Sequence, residues 1–167
     1  YGEEGYSLGF DGTNDYVKLP SISNIKSIGF WVNINSSQDG GDNDYLIDAR
    51  SGLDNGFLQA NGSSGLPTGW SKLYVNDTQV TTFTNSSLAE DSWIFVYLEA
   101  SSTFSDDIML MSHFESPGSY SSNVYLNGKL DEVAIWNESL TAAEITALYN
   151  SGSGLSASSN SGDYTSS

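Results

Sequence analysis

Apolar and polar residues alternate with a period of two along much of this chain. Ile28, Phe30, Val32 and Ile34 share one side of such a stretch, and Trp31 lies on the other. That period puts successive side chains on opposite faces, so the segment predicts a strand. Tyr6–Phe10 and Tyr16–Leu19 predict two more, around the turn Asp11-Gly12-Thr13-Asn14. Asp and Asn beside Gly favour turns because they bond to nearby backbone and tolerate unusual angles. Tyr45–Ala49, Gly56–Ala60, Trp70–Asn76 and Gln79–Thr84 follow, with Asn76-Asp77 as a tight hairpin turn. Trp93–Glu99 is apolar and aromatic, as a central strand would be, and Ile108–Ser112, Val124–Asn127 and Leu130–Trp136 complete the series. About eleven short strands separated by Gly, Asn, Asp and Ser predict an all-β fold, a sandwich or jelly roll. Phe30, Val32, Phe95 and Ile135 are expected to share its dry interior.

The period changes once. Thr141, followed three residues later by Glu144, has the form of a capping box. Leu140 before the cap can pack on Ile145, and Ile145, Leu148 and Tyr149 fall on one helical face. The pattern predicts one short C-terminal helix that stops near Gly152 and is stable only against a sheet. Beyond it the chain turns to Ser, Gly, Asn and Thr. Residues 1–152 therefore predict one domain, and residues 153–167 a Ser/Gly-rich linker or tail.

Charge narrows the partners. Five basic residues face twenty-one acidic ones, a formal charge of -16 over 167 residues. Nucleic-acid binding rests on Lys and Arg neutralising phosphates and is disfavoured, as is an anionic membrane. Cations should gather at such a surface, whose acidity also serves solubility. The chain has no cysteine, so neither disulfides nor thiolate metal sites hold it together.

Three stretches resemble the laminin-G-like, concanavalin A-like lectin/glucanase superfamily. They are Ser7-Leu8-Gly9-Phe10-Asp11-Gly12-Thr13-Asn14-Asp15-Tyr16-Val17; Ile28-Gly29-Phe30-Trp31-Val32 with the later Asp91-Ser92-Trp93-Ile94-Phe95-Val96; and Asn127 to Trp136 with Leu140 to Tyr149. The resemblance spans roughly residues 6 to 152 and implies a two-sheet antiparallel jelly-roll sandwich with both sheets curved. It implies a non-catalytic adhesion or carbohydrate-binding module of a larger extracellular, cell-surface or virion-associated protein. Its partners would be a glycan or surface protein, neighbouring domains, or a second copy. A decoration domain making protein contacts in a phage or surface fibre is the alternative. The stretch between Glu99 and Asn127 departs from the family pattern: it lacks the usual strand-turn-strand with its own Asn-Gly and instead runs Ser101-Ser102-Thr103-Phe104-Ser105-Asp106-Asp107.

The resemblance also implies a calcium. It brings the first turn near the last strand, so that Asp11, the Gly12 carbonyl and Asp131 form the candidate ligand set; the alternative is that each Asp caps nearby backbone. Asp39, Asp42, Asn43 and Asp44 form a second oxygen-rich loop, which Asp106 and Asp107 could complete; a solvated loop is the alternative. For sugar, an exposed ring supplies apolar area while polar side chains fix orientation. Trp31, Trp93 and Trp136 lie within strands and are expected in the core. Trp70 follows the flexible stretch Gly62 to Gly69 and is the candidate ligand contact at the rim; Phe114 and Tyr120 flank Pro117-Gly118 and are similar candidates. The family's glucanases carry Glu, Asp and Glu at alternating strand positions, and no such run occurs. Asp131 and Glu132 point to opposite faces, which does not suit a paired acid and base.

Overall fold

A computed structural model describes residues 7–36, 45–60, 65–84, 87–116 and 119–154. Ten strands and one helix follow in order: β1 (Leu8–Asp11), β2 (Val17–Ile34), β3 (Tyr45–Asp48), β4 (Phe57–Gln59), β5 (Trp70–Val75), β6 (Thr78–Gln79), β7 (Trp93–Leu110), β8 (Ser112–Ser116), β9 (Ser119–Tyr125), β10 (Asn127–Trp136) and α1 (Ala142–Tyr149). The fold is an all-β sandwich, and every strand pair is antiparallel.

The two layers are one hydrogen-bonded sheet that folds back on itself. β2 and β7 are both 18 residues long and pair along their whole length, from Val17 opposite Leu110 to Asn33 opposite Trp93. Where the sequence predicts separate strands, each runs on through a bent middle. The register slips three times between Leu19 and Ser27, and each slip resets which residues face inward. Val17 and Leu19, then Ile22, then Ile25, then Ile28, Phe30, Val32 and Ile34 therefore all meet one core. The far half of the β2–β7 pair carries β10 and β1 on one side and β5 and β6 on the other. The near half carries β3 and β4 beside β7. Residues 101–107 are thus the middle of a long strand. Of Gln79–Thr84 only Gln79 is in a strand, as the second residue of β6, and β8 and β9 form a separate hairpin.

α1 covers the outer face of the first layer. Trp31, Phe95 and Tyr97 from the sheet pack with Leu140, Ile145 and Leu148 in a second apolar cluster. Phe95 belongs there rather than beside Phe30 and Val32, because it stands opposite Trp31 and shares its face. Ile135 packs against the main core as expected. Trp93, two residues before Phe95, projects from the same face beyond the helix and is 40% exposed, not buried. The capping box is complete: the Glu144 amide donates to Thr141 Oγ1, and the Thr141 amide donates to the Glu144 carboxylate at 2.7 Å. The Leu140 amide donates to the buried Tyr97 hydroxyl at 2.9 Å, which pins the helix entry to the sheet. The α-helix is capped by Asn150, in the left-handed region at φ 46°, and a short 3-10 turn (Asn150–Gly152) carries the chain to its stop at Gly152, as expected. Asn adopts that conformation more readily than other non-glycine residues. No helix among the described residues is long and apolar enough to cross a membrane.

Candidate functional site

The β3–β4 turn and the loop entering β5 meet at one end of the sandwich and leave an open cup of about 250 Å³ between them. Phe57, Leu66 and Pro67 give it apolar walls, and Asn55, Gln59 and Thr68 supply amides and a hydroxyl. Among the described residues no carboxylate lines it.

Trp70 builds this cup from below. Its indole N–H donates to the Phe57 carbonyl at 2.9 Å, and its backbone amide donates to the Pro67 carbonyl at 3.0 Å. The ring packs edge-on to Phe104 and is only 4% exposed. The expected rim contact is therefore corrected: Trp70 lies at the right end of the sandwich, but its ring belongs to the core. Burial of so large a ring outweighs exposure, and its one polar atom finds a carbonyl. Gly69 lets the two loops touch, since a Cβ there would sit 2.6 Å from the Asp54 carbonyl oxygen. Asn55 Nδ2 donates across the gap to Thr68 Oγ1 at 3.2 Å.

The Phe57 wall is braced from behind by residues that the sequence reading missed. Arg50 lies over both the Tyr45 and Phe57 rings, at 5.1 and 5.5 Å from their centroids. Its Nε and one terminal nitrogen donate to the two oxygens of the fully buried Asp48, at 2.9 and 2.7 Å. That bond holds the guanidinium pKa above its ordinary value. Asp48 also accepts from the Phe114 amide, and Arg50 donates to the Phe114 carbonyl, both at 2.9 Å. Phe114 is itself 2% exposed, so it too is core and not a ligand contact. The available signal was the spacing Asp48-Ala49-Arg50, which puts acid and base on one side of an extended chain.

The other expected sites come apart. Asp11 stands opposite Asn127, four positions from Asp131 along β10, a separation of ~13 Å in an extended strand. Asp11 instead accepts from the Thr13 amide at 2.7 Å, closing its own turn over Gly12. Asp131 accepts from the next amide, that of Glu132, at 2.8 Å. Asp11, Gly12 and Asp131 therefore do not fit one calcium, and the local capping alternative accounts for both carboxylates. Asp39, Asp42, Asn43 and Asp44 lie outside the described residues. Asp106 is buried and accepts from the Gly52 amide at 2.8 Å, while Asp107 pairs with Lys18 at 3.0 Å. Burial raises the Asp106 pKa, and the Lys18 ammonium lowers that of Asp107. At Asp107 a lysine ammonium already supplies the positive charge. Tyr120 lies in β9 opposite Phe114. Among the described residues no three His, Cys, Asp or Glu come together as a metal-binding group.

No protein-family model matches the chain, and no curated protein matches it.

Proposed function

We propose that this chain is a non-catalytic carbohydrate-binding module of laminin-G-like type, carried by a larger extracellular, cell-surface or virion-associated protein. The cup at Asn55, Phe57, Gln59 and Thr68 is the observation that carries this reading. Sugars offer apolar C–H faces and hydroxyls that both donate and accept. A phenyl wall takes the first, and side-chain amides, which also do both, take the second. The Arg50 brace and the Asn55–Thr68 bond hold the cup in shape before a ligand arrives, so less ordering is lost on binding. Its volume falls below the range of about 300–1,000 Å³ usual for drug-sized ligands, which suits a terminal sugar. The charge of -16 selects neutral glycans over sulfated or sialylated ones. Among the described residues no carboxylate lines the cup, so this reading rests recognition on its amides, hydroxyl and phenyl wall and asks for no calcium.

A glycan array probed with the chain, in calcium and in chelator, tests the reading. Neutral glycans should be retained equally in both conditions. The double variant Asn55→Ala, Gln59→Ala should lose them while melting within a few degrees of the parent, because Asn55 is exposed and Gln59 half-buried. Binding no stronger than background, or binding that survives the double variant, sinks the reading.

A further inference from the structure

We propose a second recognition surface, independent of the cup: the open side of the sandwich beside β1 accepts an extended, alternately aliphatic and basic segment of another protein as an added strand. Among the described residues β1 ends its layer, with β10 on one side only. The facing layer ends at the near half of β2, since β10 pairs with β2 only from Ser27 to Ile34. Between these two edges lies a groove of about 490 Å³. Its floor is Leu110 and Leu130, both buried, and its walls include Leu8 and Val133, which are 58% and 36% exposed. Leu8 shares the inward face of β1 with Phe10, so it points into the gap that the layers leave open.

The two edges are treated differently. The β2 edge carries Lys18 and Pro20 and two register slips by Ile25, devices that discourage strand addition. β1, Leu8-Gly9-Phe10-Asp11, carries no proline, no lysine and no bulge. An incoming strand can pair with it, drop alternate side chains into the groove and leave the others at its rim.

The rim sets the chemistry of the occupant. β10 bulges between Asp131 and Ala134, and Glu132 holds φ 47°, a left-handed conformation costly for a residue with a side chain. The bulge sets two consecutive carboxylates, Asp131 and Glu132, beside an apolar groove. A basic segment complements them, and a second copy of a chain with charge -16 would be repelled.

The test uses the full chain and a labelled short peptide of alternating valine and lysine. Controls replace valine by serine, replace lysine by glutamate, or N-methylate alternate amides. The valine–lysine peptide should bind, shift the amide resonances of Leu8 to Asp11, and bind at least about tenfold more tightly than each control. The variant Leu8→Ser, Val133→Ser should lose that margin without loss of folding, both residues being exposed. Asn55→Ala, Gln59→Ala should leave it unchanged, so failure here and failure at the cup are told apart. Equal affinity for the serine control would reduce the effect to bulk charge and overturn the proposal. Concentration-dependent dimers abolished by Leu8→Ser would overturn it in favour of self-association.

Discussion

At Gly69 the absence of one methyl group decides whether two loops can close on each other. An added Cβ would lie 2.6 Å from the Asp54 carbonyl and 2.8 Å from Asn55 backbone atoms, inside any real contact. The Gly69 carbonyl also accepts from the Ser101 amide and hydroxyl, so the loop cannot simply lift away. Gly69→Ala is expected to destabilise by about 1–3 kcal/mol, the usual cost of overpacking, and to open the cup. Denaturant melts together with glycan affinity check this; a variant with unchanged stability and unchanged binding would show that the loops do not touch as described. Trp70 shows the limit of reading single residues. Its position after a glycine-rich stretch marks the rim correctly, but nothing in its neighbours reveals that the indole finds its acceptor on β4.

Among the elements, α1 is where local and tertiary signals agree most closely. Cap, staple and apolar face are all visible in Leu140-Thr141-Ala142-Ala143-Glu144-Ile145, and all are formed. Thr141→Ala should cost about 1 kcal/mol, read as a lower unfolding midpoint in denaturant, and Thr141→Ser almost nothing. The strands were legible as strands but not in their lengths. Stretches such as Ser21-Ile22-Ser23-Asn24 and Ser101-Ser102-Thr103 break the alternation and so predict gaps. In the fold these stretches are the bend, kept in the sheet by pairing with each other, as Ile22 with Asp106 and Ile25 with Phe104 show. Register slips erase the period locally, and only the long-range partner restores it. The same limit explains Phe95, whose face depends on the residue opposite it, and the Asp11–Asp131 pair, whose separation depends on the offset between β1 and β10.

For the molecule as a whole, acidity sets the stability. Asp106 is buried with its carboxylate disfavoured, so its folded pKa lies above the unfolded one. The cost it imposes is full at neutral pH and is relieved as pH falls through the folded pKa. Asp107 is shifted the other way by Lys18: its stabilisation is full above the unfolded pKa and is lost as pH falls through the lower folded value. Asp106→Asn keeps an acceptor for the Gly52 amide and removes the buried charge. It should raise the melting temperature at about pH 7, with the gain shrinking toward about pH 4. A gain that is constant across that range would mean that the carboxyl titrates alike in the folded and unfolded chain, and would overturn the burial shift.

One feature reaches back to how the chain comes to be folded at all. β2 finds its partner, β7, only after most of the polypeptide lying between them has been made. During synthesis the emerging ribbon of Ile25, Ile28, Phe30 and Val32 must therefore wait, oily and unpaired, on the ribosome's surface. Maturation should be slow, in the range of about milliseconds to seconds typical of such distant pairing, and a polypeptide halted before Trp93 should clump rather than fold.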